Sequence, residues 1–223
     1  MRRLLPFVAV TVLAAPAAAQ TVTEPASGVA FPTSMTVADG STQVLAGTGL
    51  RTRTVLNVKV YAFGLYVDEA GARGALGAFA GKTPEQLAAD ASLYTTILRM
   101  GFPMSMRLVM TRNVGGEQMS EAFDGALRPR VVAAAGRGMA GGEAALEQFR
   151  TYFSLDRLTQ GAELVFTCTP DGAFHTSIGG QGKPVINSRA LCWALFDVYL
   201  GAAPISSSGK RTVVARLPGI IGG

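Results

Sequence analysis

The run GTGLRTRTVLNVKVYAFGLYV, from Gly47 to Val67, constrains the fold more than any other part of the chain. Val, Leu, Phe and Tyr crowd between glycines, a composition that suits a pleated, half-buried strand and not a helix. Arg51, Arg53, Lys59 and Tyr61 are the polar exceptions inside it. A guanidinium taken out of water without a partner costs several kcal/mol. Two accounts therefore stand. Either the arginines snorkel at a sheet edge, which spacing alone favours, or an inward-facing Arg meets a carboxylate, a carbonyl or a bound ligand. One continuous strand would hold Arg51 and Tyr61 about 33 Å apart. A reversal centred near Leu56 would make them cross-strand neighbours on one face, about 5 Å apart at Cβ. Thr54-Val55-Leu56-Asn57 is poor turn sequence apart from Asn57, so the pairing is an expectation for the structure to decide.

The first residues belong to export and not to the fold. Arg2 and Arg3 precede an apolar stretch from Leu4 to about Ala15, and Ala17-Ala18-Ala19 leads to Gln20, the pattern of a secretory signal peptide cleaved after Ala19. That stretch is too short to cross roughly 30 Å of hydrocarbon, and no later one approaches the length. The expected product is exported, and periplasmic if the source has two membranes. The remainder reads as one domain over residues 31–217, between a loose segment 20–30 and a flexible tail 218–223. The formal charge of +5 includes both signal arginines, and the other basic residues are dispersed. That argues against nucleic acid, which asks for a basic stripe interleaved with aromatics.

Cys168 and Cys192 permit a disulfide in an exported chain, while two buried thiols fit their apolar surroundings equally well. With the single His175 they match no zinc spacing, so no metal and no cofactor are expected. His175 follows a hairpin turn without a nearby acid and reads as structural or solvent-facing.

Along the chain, Asp39-Gly40 marks a hairpin between Met35–Ala38 and Gln43–Ala46. Thr83-Pro84-Glu85-Gln86 carries a cap, a first-turn proline and a capping-box glutamine, and so opens a short helix. Leu93–Met100 and Met104–Thr111 read as β-rich runs, two strands or one broken by a bulge. Helical spacing runs from Glu117 to Leu127, with Pro129 ending or kinking that helix, and again from about Glu143 to Phe153. Pro170-Asp171-Gly172 turns a hairpin between Ala162–Thr169 and Ala173–Ile178. Ser188 caps a helix through Leu200 whose apolar stripe includes Leu191, Cys192, Leu195, Val198 and Tyr199, and Thr212–Leu217 reads as a final β-like segment.

Five segments in this order resemble the chalcone isomerase-like family, most closely its bacterial exported members: GTGLR (Gly47–Arg51), VYAFGLYV (Val60–Val67), ILRMGFPMSMRLVMTR (Ile97–Arg112), GGEQMSEAFDGAL (Gly115–Leu127) and ALFDVYLGAAPIS (Ala194–Ser206). The resemblance implies an α+β fold, an open-faced β-sandwich in which a large antiparallel sheet is covered by helices above a cleft. It also implies a choice between ring-closing enzymes and non-catalytic members, some of which bind fatty acids. In the enzymes the cleft carries an arginine, a threonine, a tyrosine, an asparagine and a late hydroxyl residue. Arg51 matches the arginine; Tyr61, Met119, Ala126 and Cys192 stand at the other positions, the last within one helical register. Losing even one donor to a developing oxyanion typically costs about two to three orders of magnitude in rate. In the fatty-acid-binding members an arginine and a tyrosine hold the carboxylate, and Arg51 with Tyr61 looks like that pair.

The resemblance thus implies a ligand site of Arg51, Tyr61, Met119 and Cys192 without catalytic residues, for a fatty acid or similar amphiphilic carboxylate. An isomerase on another substrate, with Arg51 as electrophile and Tyr61 as acid, is the first alternative. An envelope interaction protein with a filled cleft is the second. Met100, Met104, Met106, Met110 and Met119 are either core filler or an adaptable wall for a ligand tail.

Overall fold

Apolar residues alternate along the strands so that one face of a single sheet meets helices and the other a short hairpin. The computed structural model describes residues 20–53 and 57–222. The expected signal peptide and the centre of the reversal near Leu56 lie outside them. In chain order the strands and helices begin with β1 (Thr21–Thr23), β2 (Ala30–Pro32), β3 (Ser34–Thr36), β4 (Thr42–Arg53) and β5 (Val58–Val67). Then come α1 (Glu69–Leu76), α2 (Pro84–Ala89), α3 (Ala91–Ile97), β6 (Met104–Met110), β7 (Val114–Gly115), α4 (Gly116–Ala135) and α5 (Gly142–Thr151). The chain closes with β8 (Arg157–Leu158), β9 (Glu163–Cys168), β10 (Ala173–Ile178), β11 (Gln181–Gly182), β12 (Ile186–Asn187), α6 (Arg189–Leu200) and α7 (Ser207–Ile221).

The main sheet runs β11-β10-β9-β6-β5-β4-β3, with β12 beside β10 and every pair antiparallel. Phe63, Leu65, Met106, Leu108 and Phe166 point from it into the helical layer and form the principal core. On the opposite face the β1–β2 hairpin covers Leu45, Ala62, Tyr66 and Val109 with Phe31. This is the expected α+β open-faced sandwich. Segment 20–30, read from the sequence as loose, instead contributes β1 and the start of that hairpin. Glu24, buried, accepts hydrogen bonds from the Ser27 backbone and hydroxyl and so closes its turn.

Three helices depart from the expected pattern. The run from Leu93, rich in β-formers, is α3, because Asp90 caps it through the Ser92 amide and Leu93 and Ile97 share its buried side. Proline does not end α4: Pro129 is exposed, only one amide is missing, and Val131 and Ala134 beyond it are packed in the core. Thr212–Leu217 lies in α7, with Ser206 as its cap and Val213, Val214, Leu217, Ile220 and Ile221 on its buried side, so there is no β-like terminus and the expected tail is helical to Ile221.

Beyond the short β3, helix α7 guards the open edge of β4. The Thr212 hydroxyl accepts from the Thr48 amide at 3.1 Å and donates to the Thr48 carbonyl, groups that would otherwise invite another strand. Gly47 makes the approach possible, since a Cβ there would lie 2.6 Å from the Val213 nitrogen. The choice left open between two thiols and a bridge is settled as a disulfide, Cys168–Cys192, with Cα atoms 5.8 Å apart, joining β9 to α6.

Candidate functional site

Strand register brings the first two candidate residues together. Arg51 on β4 is the direct partner of Tyr61 on β5. The ladder then slips: Thr52 pairs with Lys59, which leaves Val60 as the extra residue of a bulge. A bulge re-aims the side chains around it. Here Val58, Val60 and Tyr61 all face the helical side, whereas Lys59 turns to the outer face and donates to the Ala26 carbonyl.

Above this end of the sheet lies a cavity of about 1000 Å³. Its walls are β4 and β5, helix α4, helix α6 and the segment Ala203–Ile205. From α4 it receives Met119, Phe123, Ala126 and Leu127, at helical spacing, together with the small Ala122 and Gly125. From α6 it receives Leu195, Val198 and Tyr199. The Tyr61 and Tyr199 hydroxyls are 3.1 Å apart, and both residues are buried. Burial raises the pKa of both phenols, Tyr199 strongly, with the Arg51 charge opposing that rise in each. Both are therefore neutral hydroxyls at ordinary pH. One donates to the other, and the second proton has no protein acceptor among the described residues.

The two arginines nearest the inner wall differ in what already occupies them. Arg130 is committed: it donates to Asp197 at 2.9 Å, to the Ala126 carbonyl at 2.8 Å and to the Ala203 carbonyl at 2.9 Å. Among the described residues Arg51 makes one long contact, 3.5 Å to the Ile205 carbonyl, and no ion pair. A half-buried guanidinium with unused donors beside an unspent phenol proton has the chemistry to meet an anion such as a carboxylate.

Of the four expected ligand residues, Arg51, Tyr61 and Met119 line the cavity. Cys192 does not, and its assignment is corrected: its sulfur is bonded to Cys168 and the side chain is buried against β9 and β10. Tyr199 stands two helical turns beyond Cys192 on the same face of α6, and it brings a hydroxyl to the cavity that position 192 does not. Its place in the apolar stripe of that helix was the available signal. Arg130 was also missed, because its role depends on Asp197 and Ala203, distant in sequence. Met100, Met104, Met106 and Met110 are buried core residues that do not line the cavity, so only Met119 of the methionine group borders it.

The sequence profile described as chalcone isomerase-like matches residues 23–213. The chain belongs to this family. It is 32% identical over 206 residues to fatty-acid-binding protein 2 of Arabidopsis thaliana, covering 89% of this chain but 51% of that protein, so the chain spans about half the length of this relative. It is 30% identical to the chalcone–flavanone isomerase of Oryza sativa subsp. japonica, covering 85% of this chain and 86% of that one. Among solved structures, an Arabidopsis thaliana fatty-acid binding protein superposes with a TM-score of 0.77 at 22% identity, over 91% of this chain and 99% of that one. This likeness bears on the fold alone. Family members thus carry both a binding name and an enzymatic one. No helix among the described residues is long and apolar enough to cross a membrane.

Proposed function

We propose that this protein binds a fatty acid or similar amphiphilic carboxylate in the cavity, as an exported and non-catalytic member of the family. The observation that carries the reading is the pairing of Arg51, free of any described carboxylate, with the buried Tyr61–Tyr199 hydroxyl pair. The carboxylate accepts from the guanidinium and from the unspent phenol, while the acyl chain lies along Met119, Phe123, Leu127 and Val198. The open volume favours this reading over a cleft filled by its own side chains, and the relatives named as fatty-acid-binding proteins support it. Ring closure is disfavoured by the residues themselves, since Met119 and Ala126 offer no side-chain hydrogen bond where the family's enzymes carry a tyrosine and an asparagine. Export rests on the sequence pattern of residues 1–19.

Titration calorimetry with delipidated protein and a long-chain fatty acid tests the site. Replacing Arg51 by Gln is expected to weaken binding about 10- to 100-fold, the worth of a hydrogen bond to a charged group. An unchanged affinity in Arg51→Gln, or no binding by the parent protein, overturns the assignment.

A further inference from the structure

We propose that the cavity also accepts, and prefers to a carboxylate of equal chain length, an amphiphile with a dianionic head of the phosphomonoester class, gripped by Arg51 together with Arg53 and Arg112. This rests on the amphiphile-binding reading above and specifies the head group. Arg51 and Arg53 are two residues apart on β4, hence on the same face of that strand, and both border the cavity. Arg112 borders the same cavity from the other side of β5: the Thr111 amide donates to the Val60 carbonyl, and the next residue is Arg112 at the cavity wall. Arg53 pairs with Val58, so Val58 and Val60 form the floor between the two outer arginines.

The charge balance at this end exceeds what one carboxylate would answer. Arg130 is neutralised by Asp197, whereas Arg51, Arg53 and Arg112 make no ion pair with any described residue. Glu121, exposed on α4, is the one carboxylate side chain on the cavity wall among the described residues. A monoanionic head leaves this set strongly positive. A phosphomonoester brings close to two negative charges and three acceptor oxygens, which suit planar guanidinium forks arriving from different strands. Exposure of Arg53 and Arg112 is consistent with an entrance that a head group reaches last, after its chain has passed beneath α4.

The test is calorimetry of the full chain with decyl phosphate and with decanoate, matched in chain length. At about pH 8 the phosphate is expected to bind about tenfold more tightly, and the margin shrinks at about pH 5.5, where a second pKa near 6 has returned one proton to it. The Arg53→Gln, Arg112→Gln double variant erases the margin while leaving decanoate affinity near that of the parent. Equal affinities at the higher pH, or a margin that survives in the double variant, overturn the dianion proposal and leave carboxylate binding standing. Failure of both ligands to bind the parent protein overturns the amphiphile reading itself.

Discussion

The space between sheet and helices is treated differently at its two ends. Toward β9, β10 and α5 it is filled by rings: Phe149 packs edge-on against Phe123, Phe166 and Phe174 with centroids 5.4 to 5.5 Å apart, and Phe153 closes the cluster at 5.2 Å. The disulfide pins α6 to β9 at this end. Toward β4 and β5 the same helix α4 presents Ala122, Gly125 and Ala126, and about 1000 Å³ stays open. Phe123 stands at the boundary, in the ring cluster and on the cavity wall. One layer architecture thus holds a dense anchor and an open cavity, and side-chain volume on facing elements decides which.

Truncation at the filled end has the largest expected effect. Phe149→Ala empties the centre of the cluster and is expected to cost about 3 to 5 kcal/mol of stability, read from denaturant midpoints. Replacing both cysteines by serine releases a bridge spanning 24 residues and is expected to cost about 3 kcal/mol. Because α6 also carries Tyr199, fatty-acid affinity should fall in that variant as well. A cavity substitution inverts the pattern. Ala126→Phe grows a ring into open space, so the midpoint should move by less than about 1 kcal/mol while calorimetric binding is lost. A large loss of stability there would mean that the cavity end is as tightly packed as the other.

The smallest effect is at high pH. The folded pKa of Tyr61 and Tyr199 lies above the unfolded value, so the neutral phenols stabilise the fold fully below the unfolded pKa near 10. That contribution is lost as pH rises through the folded values. Stability should therefore decline above about pH 10, and Tyr199→Phe should flatten the decline in a midpoint-against-pH series.

Local signals carried much of the fold. Thr83 and Gln86 form the expected capping box, and Ser188 caps α6. The Asp39-Gly40 and Pro170-Asp171-Gly172 turns join the strands that flank them. Where neighbours outweighed propensity, the reading failed: α3 is built from strand-forming residues, and α7 includes Thr212–Leu217, which reads as β-like. At the site, Arg51 opposite Tyr61 was legible because antiparallel pairing is arithmetic once a reversal is placed. Tyr199 in place of Cys192 was not, because helical periodicity fixes a face and leaves open which turn of that face meets β5.

The sequence by itself determined the strand carrying Arg51, the helix carrying Met119 and the family to which the chain belongs. The two elements rest on periodicity, caps and turns, which act over a few residues, and the family rests on the resemblance carried by five ordered segments. Tertiary structure alone decided that Cys192 is a staple, that Arg130 is spent on Asp197, and that Arg51 has no ion-pair partner among the described residues. Hydrogen-bond partners of a charged side chain come from elements far apart in the chain, and only their packing settles which cations are already answered.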